Sequence, residues 1–149
     1  MKLSMGCDHG GYEYKEKLKA YLKDKGHELK DFGCNSLDSC DYPDFALPAA
    51  EAVKNGEVDL GILICSTGIG ISIAANKVSG IRCSHCHDVE SARLTRNHND
   101  SNMLAFGAKI ISEQLMYEIV DAYLSAGFDG GRHQRRVDKI TEIEKKYSK

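Results

Sequence analysis

Val58-Asp59-Leu60-Gly61-Ile62-Leu63-Ile64-Cys65-Ser66-Thr67-Gly68-Ile69-Gly70 is the stretch that decides the fold. An apolar run of strand type ends at Cys65 and passes without a break into a small, glycine-containing turn and an apolar helix start. A buried strand, a tight turn and a helix in that order is how α/β folds build an anion site. The N–H groups of the turn face outward and the next helix adds its positive end. A thiol on the last strand residue would sit inside that electropositive ring, where its thiolate is stabilised. The stretch therefore implies a small anionic substrate with a sulfur beside it.

Working outward, the strands and helices alternate. Residues 2–7 predict a first strand, followed by the turn Asp8-His9-Gly10-Gly11. A helix follows with Tyr14, Leu18, Tyr21 and Leu22 on one side and the six lysines between 15 and 30 on or after the other. Gly26 is a helix stop, and His27 to Phe32 predicts a second strand. A polar loop over 33–43 ends at Tyr42-Pro43. Asp44 then caps a helix over 45–54 that carries Pro48 in its first turn. The run 58–65 is the third strand, with a helix from Ile69 to Lys77. Residues 81–86 predict a fourth strand and Asp88 the cap of the next helix. A fifth strand near 102–106 leads to a helix over 112–125, and the charged tail from Arg132 onward is helical. This alternation predicts a three-layer α/β/α sandwich around a mostly parallel, five-stranded, Rossmann-like sheet. Ligands of such sheets bind at the carboxyl ends of the strands, which puts Asp8-His9 and Cys65–Gly70 on one rim.

Length and composition bound the rest. A chain of 149 residues fits one domain and buries roughly 70% of the surface its unfolded form exposes. The net charge of −2 gives no reason to expect nucleic acid or an anionic membrane as partner. No apolar run approaches the ~20 residues that span a bilayer, and the N-terminal residues lack a signal-peptide core, so the expected compartment is the cytoplasm. The six cysteines are then expected as free thiols. Cys83-Ser84-His85-Cys86-His87 matches the haem-attachment pattern and hints at zinc. Haem attachment requires export, zinc requires a second ligand pair, and the stretch reads as a strand between helices.

Two further clusters carry chemistry. Arg93 to Asn102, including His98 and Asn99, is polar after Leu94 although it joins a helix to a strand. Arg132 and Arg136 stand at i, i+4 on one helix face, a spacing that suits a phosphate through forked, charge-assisted hydrogen bonds. Solvated surface accounts for either cluster alone. A cysteine phosphatase would need an arginine six residues after its nucleophile, where this chain has Ile71. A nucleotide-binding module would need a fuller glycine fingerprint or a Walker lysine.

Taken together, Asp8-His9-Gly10-Gly11, Tyr42-Pro43-Asp44, Gly61 to Gly70, His98-Asn99-Asp100 with Asn102, and Gly131-Arg132-His133 with Arg136 resemble the type B ribose-5-phosphate isomerases over the full length of the chain. That family also includes galactose- and allose-6-phosphate isomerases. The resemblance implies an aldose–ketose isomerase of the pentose phosphate pathway, working through an enediolate without metal or cofactor. Cys65 would be the base that moves a proton between C1 and C2. The backbone of Ser66, Thr67, Gly68, Ile69 and Gly70, with the Thr67 hydroxyl, would hold the developing oxyanion. Asp8 would contact the sugar ring oxygen or a hydroxyl, and His98 would open the furanose. His9, Arg132 and Arg136, helped by Lys109, would hold the phosphate, and Asn99 would bind substrate hydroxyls or the enediolate. In the family His98, Asn99 and residue 109 come from a neighbouring subunit, which implies a homodimer or a dimer of dimers with a shared site. The chain would then be a single sugar-phosphate isomerase domain over 1–149, its helix from about 132 packing on or across the subunit interface. Two positions depart from the family pattern: Ser66 stands where many members have Gly, and Lys109 where many have Arg. Lysine keeps the charge but loses the fork.

Overall fold

The computed structural model of the chain describes residues 1–148. Five strands, β1 (Lys2–Cys7), β2 (Glu28–Asp31), β3 (Leu60–Cys65), β4 (Cys83–His85) and β5 (Met103–Gly107), form one sheet in the order β2-β1-β3-β5-β4. Every pairing is parallel, with Met5 opposite Ile62 and Cys65 opposite Gly107. Helices cover both faces, as a parallel sheet requires. They are α1 (Tyr12–Asp24), α2 (Pro43–Lys54), α3 (Ile69–Ala75), α4 (Val89–Asn99), α5 (Glu113–Ser125) and α6 (Arg132–Tyr147).

β3 is buried throughout, and its alternation divides the core in two. Ile62 and Ile64 pack with Leu18 and Leu22 of α1 and with Met116 and Ile119 of α5. Leu63 and Cys65 face the opposite way, against Ala46, Ala49 and Ala50 of α2 and Ile71 and Ala75 of α3. The faces follow from connection handedness. Right-handed crossovers put α1 on one face as the chain steps from β1 out to β2, and α3 on the other as it steps from β3 out to β4. The chain therefore diverges between β1 and β3. That divergence opens a crevice at their carboxyl ends, where the two loops leave in opposite directions.

β2, β3 and β4 are shorter than expected, β4 covering only Cys83–His85 of 81–86, and two helix boundaries also differ. α2 begins at Pro43, with Tyr42 as its unbonded cap, so Asp44 lies within the first turn and Pro48 a full turn in. Proline needs no partner for a missing N–H at a first helical position, which makes Pro43 the better start. α3 stops at Ala75, because the Asn76 side chain turns to bond both backbone groups of Cys83. No helix among the described residues is long and apolar enough to cross a membrane.

Candidate active site

The loops after β1 and β3 meet at this crevice. Asp8 N–H donates to the Ile64 carbonyl, and Asp8 Oδ1 accepts from Gly10 and Gly11 N–H at 2.9 and 3.3 Å. Asp8 thereby caps the turn that follows it, which anchors one carboxylate oxygen. Oδ2 makes no hydrogen bond among the described residues and is free to accept one from a ligand. His9 Nδ1 accepts the Cys40 N–H at 3.2 Å. That bond makes Nδ1 the acceptor and leaves the proton of neutral His9 on Nε2.

Cys65, 5% exposed, ends β3 directly beside this loop. The turn after it is held by its carbonyls. Cys65 O accepts from Ala108 N–H at 2.9 Å and Ser66 O from Lys109 N–H at 3.0 Å, both on the β5 side. Thr67 O lies 2.8 Å from His85 Nε2. Because a trans peptide sends its N–H opposite its carbonyl, the N–H groups of Ser66, Thr67 and Gly68 turn away from β5 and β4. Gly68 N–H donates to Cys65 Sγ at 3.1 Å, and the Ser66 side chain lies against Gly10. Thr67 Oγ1 accepts Ile69 N–H at 3.2 Å, which leaves its hydroxyl proton available. Gly68 has φ +78°, which glycine adopts freely, and a Cβ there would lie 2.6 Å from the Phe106 backbone. Gly70 packs under the Tyr42 ring, where a Cβ would meet carbon at 2.6 Å. The turn thus offers aligned donors around a sulfur, an arrangement able to stabilise an anion next to a base. Ile71, six residues after the thiol, is buried in the core and supplies no cation.

The second set of residues lies at the other end of the sheet. α4 runs back from β4, so its last turn sits at the amino ends of the strands. Asn99 O accepts from Arg82 Nε just before β4, and Asn102 O accepts from Gly61 N–H at the start of β3. His98 stacks on His133 with ring centroids 4.2 Å apart and planes within 10°. Asp129 N–H bonds Asn97 O, which ties the entry of α6 to the same corner. His133 is held below the ordinary imidazole range by partial desolvation, then by His98, Arg132 and Arg136, with Asp129 acting the other way. From Gly61 to Cys65 the strand runs about 13 Å, at 3.3 Å per residue, beyond the reach of one histidine. Within one chain, Asp8, His9, Cys65–Gly70 and Lys109 therefore share one end, while His98, Asn99, Arg132 and Arg136 share the opposite one. Lys109, expected with His98 and Asn99 from a neighbouring copy, instead stands with Cys65 of its own chain, because its N–H bonds Ser66 O.

The cysteines are all free. Burial pushes the Cys83 thiol up to about 12, with Cys86 adding to it, and Cys86 up to about 11, with Asp88 adding. Both are thereby poor thiolate ligands. Among the described residues the group with metal-ligand spacing is His98, Asp129 and His133, with donor atoms within 4.8 Å of one another. Sequence reasoning did not find this group. The lone pairs of the stacked rings lie in two nearly parallel planes, which keeps them from meeting at one point, so the site as it stands does not focus on an ion. His85 and His87 stood out in the sequence only as part of a haem- or zinc-like pattern; their place beside the Cys65 turn, opposite Thr67, depends on the β4–β5 register.

The ribose/galactose isomerase family model matches residues 3–140. Ribose-5-phosphate isomerase B of Escherichia coli K12 is 51% identical over 145 residues, 97% of each chain. The structure of Clostridium thermocellum ribose-5-phosphate isomerase B superposes with a TM-score of 0.98 at 55% identity, covering 99% of this chain and all of that one. That of Mycoplasma genitalium ribose-5-phosphate isomerase B, with ribulose-5-phosphate bound, gives 0.93 at 42% identity over 97% of this chain and 96% of that one. Likeness of sequence along nearly the whole chain, on the same backbone frame, makes this chain a member of the ribose/galactose isomerase family.

Proposed function

We propose that the chain interconverts D-ribose 5-phosphate and D-ribulose 5-phosphate through a cis-enediolate, with Cys65 as the base. The observation that carries this reading is the Gly68 N–H on Cys65 Sγ, at the crevice where Asp8 and His9 also stand. Proton abstraction beside a carbonyl needs a base of suitable basicity and a means of holding the resulting oxyanion. A thiol, ordinarily near 8.5, needs only modest electropositive help to serve.

His98 donates a proton to the ring oxygen as the O1 hydroxyl gives its proton to water, which opens the furanose, and Asp8 Oδ2 accepts a hydrogen bond from a sugar hydroxyl. Cys65 thiolate takes the proton from C2 of the open aldose. The charge that develops on O1 is held by the Thr67 hydroxyl and by the N–H groups of the Ser66–Gly70 turn that are not already engaged. Gly68 N–H stays on Cys65 Sγ and Ile69 N–H on Thr67 Oγ1. Return of that proton to C1, with the hydroxyl proton passing from O2 to O1, gives the ketose. His9 Nε2–H, Arg132, Arg136 and Lys109 hold the phosphate, and Asn99 holds hydroxyls of the chain or the enediolate. Binding at this remote group supplies orientation that the reacting carbons cannot.

His98, Asn99 and the two arginines reach the thiol from a second copy of the chain. The active unit is then a homodimer with shared sites, alone or paired into a tetramer. Its supports are the separation of the two residue sets and the exposed apolar residues near each. Ile69 and Ile73 flank the Cys65 turn on α3, and Ile140 and Ile143 lie along α6. The whole chain acts as one sugar-phosphate isomerase domain, with α6 packing on or across the interface between copies.

The test is turnover of ribose 5-phosphate with EDTA present, for wild type and Cys65→Ala, with allose 6-phosphate run alongside. Turnover that survives EDTA and is lost by at least 1000-fold in folded Cys65→Ala is the expected result, roughly the scale of removing a proton-transfer group. A Cys65→Ala enzyme with wild-type kcat overturns the assignment of the base. Preference for the hexose phosphate overturns the choice of substrate.

A further inference from the structure

The Cys83-x-x-Cys86-His87 segment is not used by the chemistry above, yet it sits directly against it. β4 buries Cys83 and leaves His85 exposed, and the chain then turns so that Cys86 is buried and His87 half-buried. The rings of His85 and His87 meet edge-on, with centroids 4.4 Å apart. His87 Nε2 lies 3.2 Å from His85 Nε2 and accepts the Gly107 N–H at 3.2 Å. His85 Nε2 lies 2.8 Å from the Thr67 carbonyl.

Backbone groups decide both tautomers. A carbonyl can only accept, so His85 Nε2 carries a proton; the Gly107 N–H can only donate, so His87 Nε2 is bare. His87 thus takes the Gly107 N–H on its one Nε2 lone pair, and His85 gives its one Nε2 proton to Thr67 O, with the two rings in edge-on contact. Thr67 C=O and Gly68 N–H belong to one peptide unit. His85 holds its oxygen, and its N–H points at Cys65 Sγ at 3.1 Å. We propose that His85 and His87 are positioning residues that lock this peptide with its N–H on the Cys65 sulfur, a role that rests on Cys65 being the base.

The lock matters at this position because Gly68 has φ +78°. In turns with a glycine at positive φ, rotating the preceding peptide converts one allowed turn type into another, so the unrestrained peptide readily leaves the sulfur. The absence of a Cβ at Gly68 also admits the His85 ring, whose Cδ2 would lie 2.9 Å from such an atom. A donor on the carbonyl further polarises the peptide and strengthens its N–H as a donor.

Protonation of His87 would set its Nε2–H against the Gly107 N–H and beside the His85 Nε2–H, and so dislodge the ring that supports His85. Burial holds His87 below the ordinary imidazole range, and His85 adds to this. The Thr67 carbonyl and Asp88 pull the other way. The groups facing the pair are thus Asp88 on its own loop, Thr67 O on the turn and Gly107 N–H on β5.

The experiment compares His85→Leu, His85→Gln, His87→Leu and His87→Gln with wild type. It reads kcat, KM for ribose 5-phosphate, and the rate at which iodoacetamide alkylates Cys65, followed on the Cys65 peptide by mass spectrometry. The leucine variants are expected to lose about tenfold in kcat with KM within about twofold, and to alkylate Cys65 correspondingly more slowly. Glutamine places an amide near the lost ring nitrogen and recovers most of both losses. His87→Gln also loses the acid limb of kcat that His87 protonation gives wild type. Leucine variants with wild-type kcat and Cys65 reactivity overturn the proposal, as do glutamine variants no better than leucine. Where a leucine variant does not fold, His85→Asn replaces it: its amide stops short of Thr67 O, and activity equal to that of His85→Gln overturns the proposal. Turnover retained in Cys65→Ala would instead refute the base, while the alkylation rates would still test the lock.

Discussion

At the scale of single residues, Lys15 shows how support for the site is hidden in a charged helix. It shares the i, i+3, i+7 stripe of Leu18 and Leu22 and is fully buried, not on the polar side of α1 with the other lysines as expected. The pattern contained this, but a lysine in an apolar stripe reads as an interruption. Its ammonium pairs with both Asp31 oxygens at 2.7 and 2.8 Å, and Lys19 adds a third bond. Burial alone would raise the Asp31 carboxyl, but hydrogen bonds from Lys15, Lys19 and the Gly33 N–H outweigh it and hold the group below the usual carboxylate range. Gly33 O in turn accepts the Cys7 N–H, one residue before Asp8. Lys15→Ala leaves half-buried Asp31 with Lys19 as its one ammonium partner and is expected to cost about 2 kcal/mol, between exposed and buried pairs, measured by urea denaturation at neutral pH. Because the folded carboxyl titrates below its unfolded counterpart, its contribution is present above the unfolded value near 4 and is lost as pH falls through the folded one. Asp31→Asn should therefore flatten the acid limb of the stability curve.

At the scale of elements, β3, its turn and α3 were the most legible part of the chain. A buried apolar run ending in closely spaced glycines admits few readings, and the strand placements at 2–7 and 102–106 followed from similar runs. The partners of that turn were not legible. Ala108, Lys109 and His85 come to it through the β3–β5 and β4–β5 registers, which no local pattern encodes. Gly107 marks how closely β5 approaches: a Cβ there would lie 2.5 Å from the Thr67 backbone. Gly107→Ala must push the turn outward, because backbone atoms cannot yield as a side-chain tip can. The expected outcome is a loss of about 1–3 kcal/mol in stability from overpacking. In the protein that remains folded, kcat should drop by at least tenfold with KM little changed, as the N–H donors leave the oxyanion position. A wild-type kcat would mean that the turn tolerates displacement and that its geometry does not limit the reaction.

At the scale of the whole molecule, the chain carries the two residue sets at opposite ends of one sheet, and the proposed reaction needs both. The motifs of both were visible as strings of residues, whereas their separation depends on α4 and α6 returning to the amino ends of the strands. A symmetric dimer with Cys65 of one copy facing His98 of its partner makes a specific prediction about mixtures. Cys65→Ala and His98→Ala are each inactive as pure proteins. When the two are unfolded, mixed in equal amounts and refolded together, half of the dimers carry one copy of each. In such a dimer one site takes Cys65 and His98 from the two intact positions, while the other site lacks both. The mixture should thus recover about a quarter of wild-type activity per site, from the random pairing of equivalent protomers. If Cys65 and His98 served the same site from the same chain, every site would lack one of them in any pairing, and the mixture would stay inactive. Mixing without unfolding gives the exchange rate of the dimer as the time course of recovery, and dilution before assay shows the concentration at which the shared sites come apart.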